Sequence, residues 1–132
     1  MKKIKISDGY IYMFWSPLDG APDANNELLN LNLNNINSIE RLVRELLYVE
    51  YNNWSETWKY RCKESFKYAI SYSSDKELIH YYNSGAPQIG LPDMFSVRNF
   101  YIYVWKFMFG EESYDAANID NYEIISRFDI YD

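Results

Sequence analysis

His80 is the only histidine and Cys62 the only cysteine in this chain. The side chains that most often serve as general base, nucleophile or metal ligand thus occur once each. A metal site or a catalytic triad needs partners at set spacing, and His80 has only Tyr81 and Tyr82 beside it. Cys62 lies four residues from both Trp58 and Phe66, on what reads as the apolar stripe of a helix. That placement predicts an inert core thiol rather than a nucleophile. Gly85-Ala86-Pro87-Gln88-Ile89-Gly90 has two glycines at phosphate-loop spacing, but Leu91 and Pro92 stand where Lys and Ser or Thr would have to follow. No spacing marks a carboxylate pair for acid–base work, since the adjacent Glu111 and Glu112 would diverge on a helix. The residues give no catalytic, cofactor-binding or metal-ligating set, and the reading is of a non-enzyme. The alternative is a small enzyme using acidic residues and His80.

Charge is the stronger signal. From Glu111 to Asp132 there are seven acids against the single base Arg127, a balance of −6 that equals the net charge of the whole chain. Residues 1–110 are therefore neutral. Rings are interleaved with these acids, a pattern suited to capturing a basic partner. The candidate partner-binding residues are Glu111, Glu112, Asp115, Asp120, Glu123 and Asp129, with Tyr114, Tyr122 and Tyr131. A terminal acidic run can also do no more than keep a domain soluble. A purely solubilising tail would carry few large apolar residues, yet this one holds Ile119, Ile124, Ile125, Phe128 and Ile130 as well as its tyrosines, enough to fold onto a core. Lys59, Lys63 and Lys67 recur every four residues and could form a phosphate-contacting ridge. Glu56 and Glu64, three residues before Lys59 and Lys67, equally suggest a solvated, ion-paired face. The acidic balance argues against nucleic acid as a partner.

These groups must be positioned by a chain of 132 residues, which points to one domain spanning 1–132 that buries about two thirds of its unfolded surface. One cysteine excludes an internal disulfide. Lys2, Lys3 and Lys5 are followed by Asp8 and Gly9 rather than by an apolar signal core. The longest apolar run, Phe100–Trp105 continuing through Phe107–Phe109, falls far short of the roughly 20 residues a membrane span needs. A cytoplasmic protein without membrane contact is the expectation. Fourteen tyrosines are shared in this reading between codon bias and interface use.

Asp8-Gly9 between Ile4/Ile6 and the run Tyr10–Trp15 predicts an N-terminal hairpin. Residues 16–26 read as a loop, and Leu29-Asn30-Leu31-Asn32-Leu33-Asn34 alternates like a strand although Asn is a poor strand former. Helices are predicted over 36–51, opened by Asn37 and Glu40; from Asn53 and Glu56, with Trp58, Cys62, Phe66, Ala69 and Ile70 buried; from Ser74 and Glu77 to Asn83-Ser84-Gly85; and from Asp93 to Phe109, closed by Gly110. The last is apolar enough to be buried almost all round. Residues 115–120 could form a helical turn, and the alternation of Tyr122, Ile124, Phe128 and Ile130 suggests a strand pairing with the hairpin. The expected fold is α+β and helix-rich: a bundle of about four helices with a small sheet from the N-terminal hairpin and the C-terminal strand. The alternative is all-α.

In size, acidity, aromatic load and lack of catalytic residues the whole chain resembles the immunity proteins of bacterial polymorphic-toxin and contact-dependent inhibition systems. The resemblance implies a protein that binds and neutralises a basic toxin domain, possibly a nuclease, encoded next to it. Carboxylates of Glu111–Asp132 would then occupy or flank the cleft that phosphates normally fill. A phage-type inhibitor mimicking nucleic acid would carry the same electrostatics.

Overall fold

Serine and asparagine side chains start most of the helices. In the computed structural model, which describes residues 2–19 and 26–131, the elements run in order β1 (Ile4–Ile6), α1 (Asp8–Trp15), a 3-10 turn (Ser16–Asp19), α2 (Asn26–Leu29), α3 (Ile36–Leu42), a π-helical segment (Val43–Leu47), α4 (Tyr48–Asn52), α5 (Glu56–Tyr72), α6 (Asp75–Asn83), α7 (Val97–Phe109), a second 3-10 turn (Ile119–Asn121) and β2 (Tyr122–Ile124). Ser7, Asn35, Ser55, Ser74 and Ser96 each accept a hydrogen bond from a first-turn N–H of α1, α3, α5, α6 and α7, satisfying donors that the helix itself cannot pair. Ser74 and Glu77 form the expected reciprocal capping box, at 3.1 and 2.8 Å. The openings predicted at Asn37 and Asn53 move to Asn35 and Ser55, the residues directly before α3 and α5, whose side chains accept from Asn37 N and Trp58 N; Asn37 already lies within the first turn. The fold is helix-rich α+β; the two-stranded sheet excludes the all-α alternative.

The predicted N-terminal hairpin does not form. Ser7 Oγ accepts from Gly9 N at 3.1 Å, Asp8 opposes the helix dipole in the first turn, and the run behind them continues as α1. Tyr10, Ile11, Phe14 and Trp15 recur at helical spacing and are buried against α5 and α6. A short aromatic run fits both periods, and capping together with burial on two sides decides it. Gly9 is needed for another reason. A Cβ there would stand 2.9 Å from the Cβ of Arg127 and 3.0 Å from its Cα. Alanine gains about 1 kcal/mol over glycine in a helix interior, but overpacking against main chain costs about 1–3 kcal/mol. Gly9→Ala should therefore lower the thermal midpoint by several degrees; an unchanged or higher midpoint would contradict the close approach.

The C-terminal strand does form, but it pairs parallel to β1, with Ile4 opposite Tyr122 and Ile6 opposite Ile124. The 29–34 stretch is not a strand. Its asparagines make turns instead: Asn32 Oδ1 accepts from Asn34 N at 3.0 Å, and Asn34 Oδ1 accepts from Asp93 N and Met94 N at 2.9 and 3.0 Å. Those last two bonds hold residues 93 and 94 outside the helix, so α7 begins at Val97, four residues later than expected. It ends at Gly110, whose φ of +64° is a left-handed conformation suited to glycine. One side of α7 (Phe100, Tyr101, Val104, Trp105, Met108) is buried, while Asn99 and Lys106 are exposed. It is central but not enclosed all round. The body of the molecule closes when Arg98 donates to the carbonyls of Ile70 and Ser73 and pairs with Asp75, capping the end of α5 from α7.

Part of the tyrosine excess is structural. Tyr10, Tyr51, Tyr82, Tyr101 and Tyr122 are buried, and their hydroxyls bridge elements. Tyr101 donates to Leu78 O and Tyr82 to Ile89 O, both at 2.6 Å, while Tyr51 donates to Lys59 O at 3.0 Å. Burial pushes the phenols of Tyr51, Tyr82 and Tyr101 well above their ordinary value. The unfolded chain would ionise near pH 10 while these stay protonated in the native state. Their stabilisation is complete below that pH and falls above it by about 1.4 kcal/mol per pH unit for each ring. Unfolding between pH 10 and 12 should coincide with a cooperative rise in phenolate absorbance. Noncooperative titration of every tyrosine near pH 10, with the fold intact, would contradict this.

Candidate functional site

The acidic segment is mounted on the body as a strap along α5. Leaving Gly110, it is fixed first by Trp105, whose Nε1 donates to Glu112 O at 2.7 Å, and by an ion pair between Glu112 and Lys63. It then runs to the C-terminal end of α5, where Ala116 N donates to Ser71 Oγ at 3.1 Å and Tyr72 OH donates to Ala117 O at 2.8 Å. Asn118 caps the 3-10 turn at 119–121, and the chain returns as β2, which continues with Ile125 N donating to Ile6 O at 2.8 Å. It finishes over α1 and the start of α5. There Trp58 Nε1 donates to Ile130 O at 3.1 Å, Ile130 is buried, and the Tyr131 ring lies 5.5 Å from that of Trp58.

One buried polar network pins the two arms of the strap together. Tyr122 OH accepts from Ala117 N at 2.9 Å and donates to Glu64 Oε1 at 3.3 Å; Glu64 Oε2 pairs with Lys67 at 3.2 Å. Glu64 is 7 % exposed, and a carboxylate at that depth is tolerable only with such partners. Burial, reinforced by the Glu64 charge, pushes the Tyr122 phenol up to about 12. Tyr122 therefore anchors the strap and presents nothing outward, unlike its expected role as a contact residue.

No protein-family model, curated protein or solved structure matches the chain. Geometry alone carries the reading of the site.

Glu111, Asp115, Asp120, Glu123 and Asp129 are exposed, and among the described residues none of them enters an ion pair. Glu112 is exposed but engaged with Lys63, Tyr114 is half-buried, and Tyr131 is 69 % exposed. Asp132 lies outside the described residues. Sequence reasoning missed three neighbours, Ile119, Ile124 and Phe128, which are exposed by 50, 66 and 78 %. The alternation of 122, 124, 128 and 130 places all four on one strand face. The strand stops at Ile124, however, and Phe128 falls within the turn at 126–129, so the alternation breaks: Tyr122 and Ile130 are buried while Ile124 and Phe128 are exposed. The site therefore offers free carboxylates interspersed with apolar anchors.

The other candidates have structural employment. Lys59, Lys63 and Lys67 are half-buried and each is paired, with Glu56, Glu112 and Glu64 respectively. Lys63 lies 4.7 Å from the Phe109 ring centroid and Lys67 6.0 Å from that of Trp105, so the stripe is an ion-paired face, joined to the strap through Lys63, and not a phosphate ridge. Cys62 is buried with its Sγ 3.7 Å from Tyr10 O, and burial raises its thiol far from the thiolate range. His80 is exposed, its ring 6.3 Å from that of Tyr12. The 85–90 loop docks on the first 3-10 turn, Ala86 N donating to Asp19 Oδ1 at 3.1 Å and Gln88 N to Leu18 O at 2.7 Å. Among the described residues no cluster of His, Cys, Asp and Glu could hold a metal ion, and no helix is long and apolar enough to cross a membrane.

Proposed function

We propose that this protein is an immunity protein of a bacterial polymorphic-toxin or contact-dependent inhibition system, acting in the cytoplasm by binding a basic toxin domain encoded beside it. The observation that carries the reading is the strap. Five exposed carboxylates, none in an ion pair among the described residues, are carried by a segment tied to the body by long-range hydrogen bonds. Fixed charges of one sign accelerate encounter with a basic surface, and exposed Phe128, Ile124 and Tyr131 supply apolar area to slow release. A preordered surface also avoids the ordering cost that a disordered acidic tail would incur on binding. The inhibition is stoichiometric occlusion: the strap covers the cationic cleft with which a nuclease holds phosphates, and no group on the strap need react.

The reading is tested by co-expressing the chain with the product of its adjacent upstream gene. The expected result is suppression of that product's toxicity and a complex that survives size-exclusion chromatography. Unrelieved toxicity with no complex would contradict it.

A further inference from the structure

A concavity opens between the body of the molecule and the returning arm of the strap. It is a cleft of about 630 Å³, within the range of specific ligand sites, bounded by the starts of α1 and α6, one side of α5 and residues 124–127. Tyr68, Tyr72 and Tyr81 contribute rings to it, and Asp8 and Glu77 contribute carboxylates. Arg127 is its single lining cation, held with its guanidinium 5.5 Å from the Tyr12 ring centroid and 5.6 Å from that of Phe128. Asp8 accepts from Tyr12 OH at 3.2 Å and enters no ion pair among the described residues. Glu77 spends one oxygen on the Ser74 N–H. The cleft thus holds an excess of negative charge beside phenol rings.

We infer that this cleft receives an arginine side chain of the bound protein, its guanidinium seated against Tyr81 and shared between Asp8 and Glu77. Charge complementarity selects a cation, since the two carboxylates outnumber Arg127 and leave the lining net negative, which repels a phosphate or a carboxylate. The rings select arginine over lysine, because a planar, weakly hydrated guanidinium stacks on phenols while donating in its own plane to carboxylates. The environment of Tyr81 agrees: burial raises its phenol, its hydrogen bond with Ser73 lowers it, and the charges of Glu77 and Asp8 raise it further, so each carboxylate is felt at that hydroxyl. Ile6, Ile11 and Ala69 on the wall suit the aliphatic stem.

This inference rests on the proposed function for the source of the arginine, but its test needs only the protein itself. N-acetyl-arginine amide is titrated into the labelled protein while the ring resonances of Tyr68 and Tyr81 are followed by NMR, with N-acetyl-citrulline amide as the uncharged isostere. Saturable shifts at those rings are expected with arginine and not with citrulline. Asp8→Asn and Glu77→Gln should each weaken binding by about 10-fold, the scale of one charge-assisted hydrogen bond. Gln at position 77 preserves the capping box, so its loss of binding would report charge rather than folding. Equal binding of citrulline, shifts confined to Tyr114 and Tyr131, absent shifts, or unaltered affinity in both variants would each overturn the inference. Arginine binding here with no toxin captured would instead overturn the immunity reading alone. Capture of the toxin with undiminished affinity by both variants would overturn the cleft alone.

Discussion

Trp15→Ala should destabilise the protein by about 3–5 kcal/mol, a large fraction of the 5–15 kcal/mol typical of a domain. The indole is 2 % exposed and is ringed by aromatics: Phe14 at 5.0 Å, Tyr82 at 5.1 Å, Tyr101 at 5.3 Å, Phe66 at 5.7 Å, and Phe100 stacked at 5.7 Å. These neighbours come from α1, α5, α6 and α7, so the cavity opens where four helices meet and cannot collapse by moving one of them. Hydrogen bonding contributes less. Trp15 Nε1 donates to Tyr101 OH at 3.3 Å, but that hydroxyl keeps its own bond to Leu78 O when the indole is gone. Trp15→Phe should therefore restore most of the loss by refilling volume alone. Urea unfolding measures both variants, and a cost below about 1 kcal/mol for Trp15→Ala would show that this cluster is not the core.

Reversing Asp115, Asp120 and Glu123 to lysine should slow capture of a basic partner on the order of 100-fold at low salt while leaving the fold intact. All three are exposed and outside the ion pairs, so their removal leaves no buried charge unpaired. Glu112 is a different case: its loss strands the half-buried Lys63 against Phe109 and should cost stability as well. In stopped-flow association, raising the ionic strength should slow the parent and barely affect the reversed variant, because screening acts on encounter rather than on packed contacts. Equal association rates for the two proteins would remove the strap from the binding account.

The helices were legible where a cap and a long apolar period coincide, as at Ser74 ahead of α6 and along Cys62, Phe66, Ala69 and Ile70 of α5. Asp8-Gly9 was misleading because its local meaning is a turn, while its actual constraint is distant: Arg127, more than a hundred residues on, packs where a Cβ would be. No local pattern carries that information. The location of the acidic segment could be read directly from charge. Its internal division could not, since Tyr122 and Ile124 look equivalent in sequence, and the bond to buried Glu64 makes one an anchor while the other stays exposed. Glu64 itself gave no sign of burial, sitting in a stripe that reads equally well as a solvated face.

The proposed capture of a basic partner depends on the acids being carried by a docked strap and not by a mobile tail. Amide hydrogen exchange across 111–131 measures that directly. The N–H groups of Ala116, Ala117 and Ile125, bonded to Ser71, Tyr122 and Ile6, should exchange far more slowly than the unstructured rate and should lose protection together in Tyr122→Ala. Exchange of the whole segment at the unstructured rate in the parent protein would contradict the account.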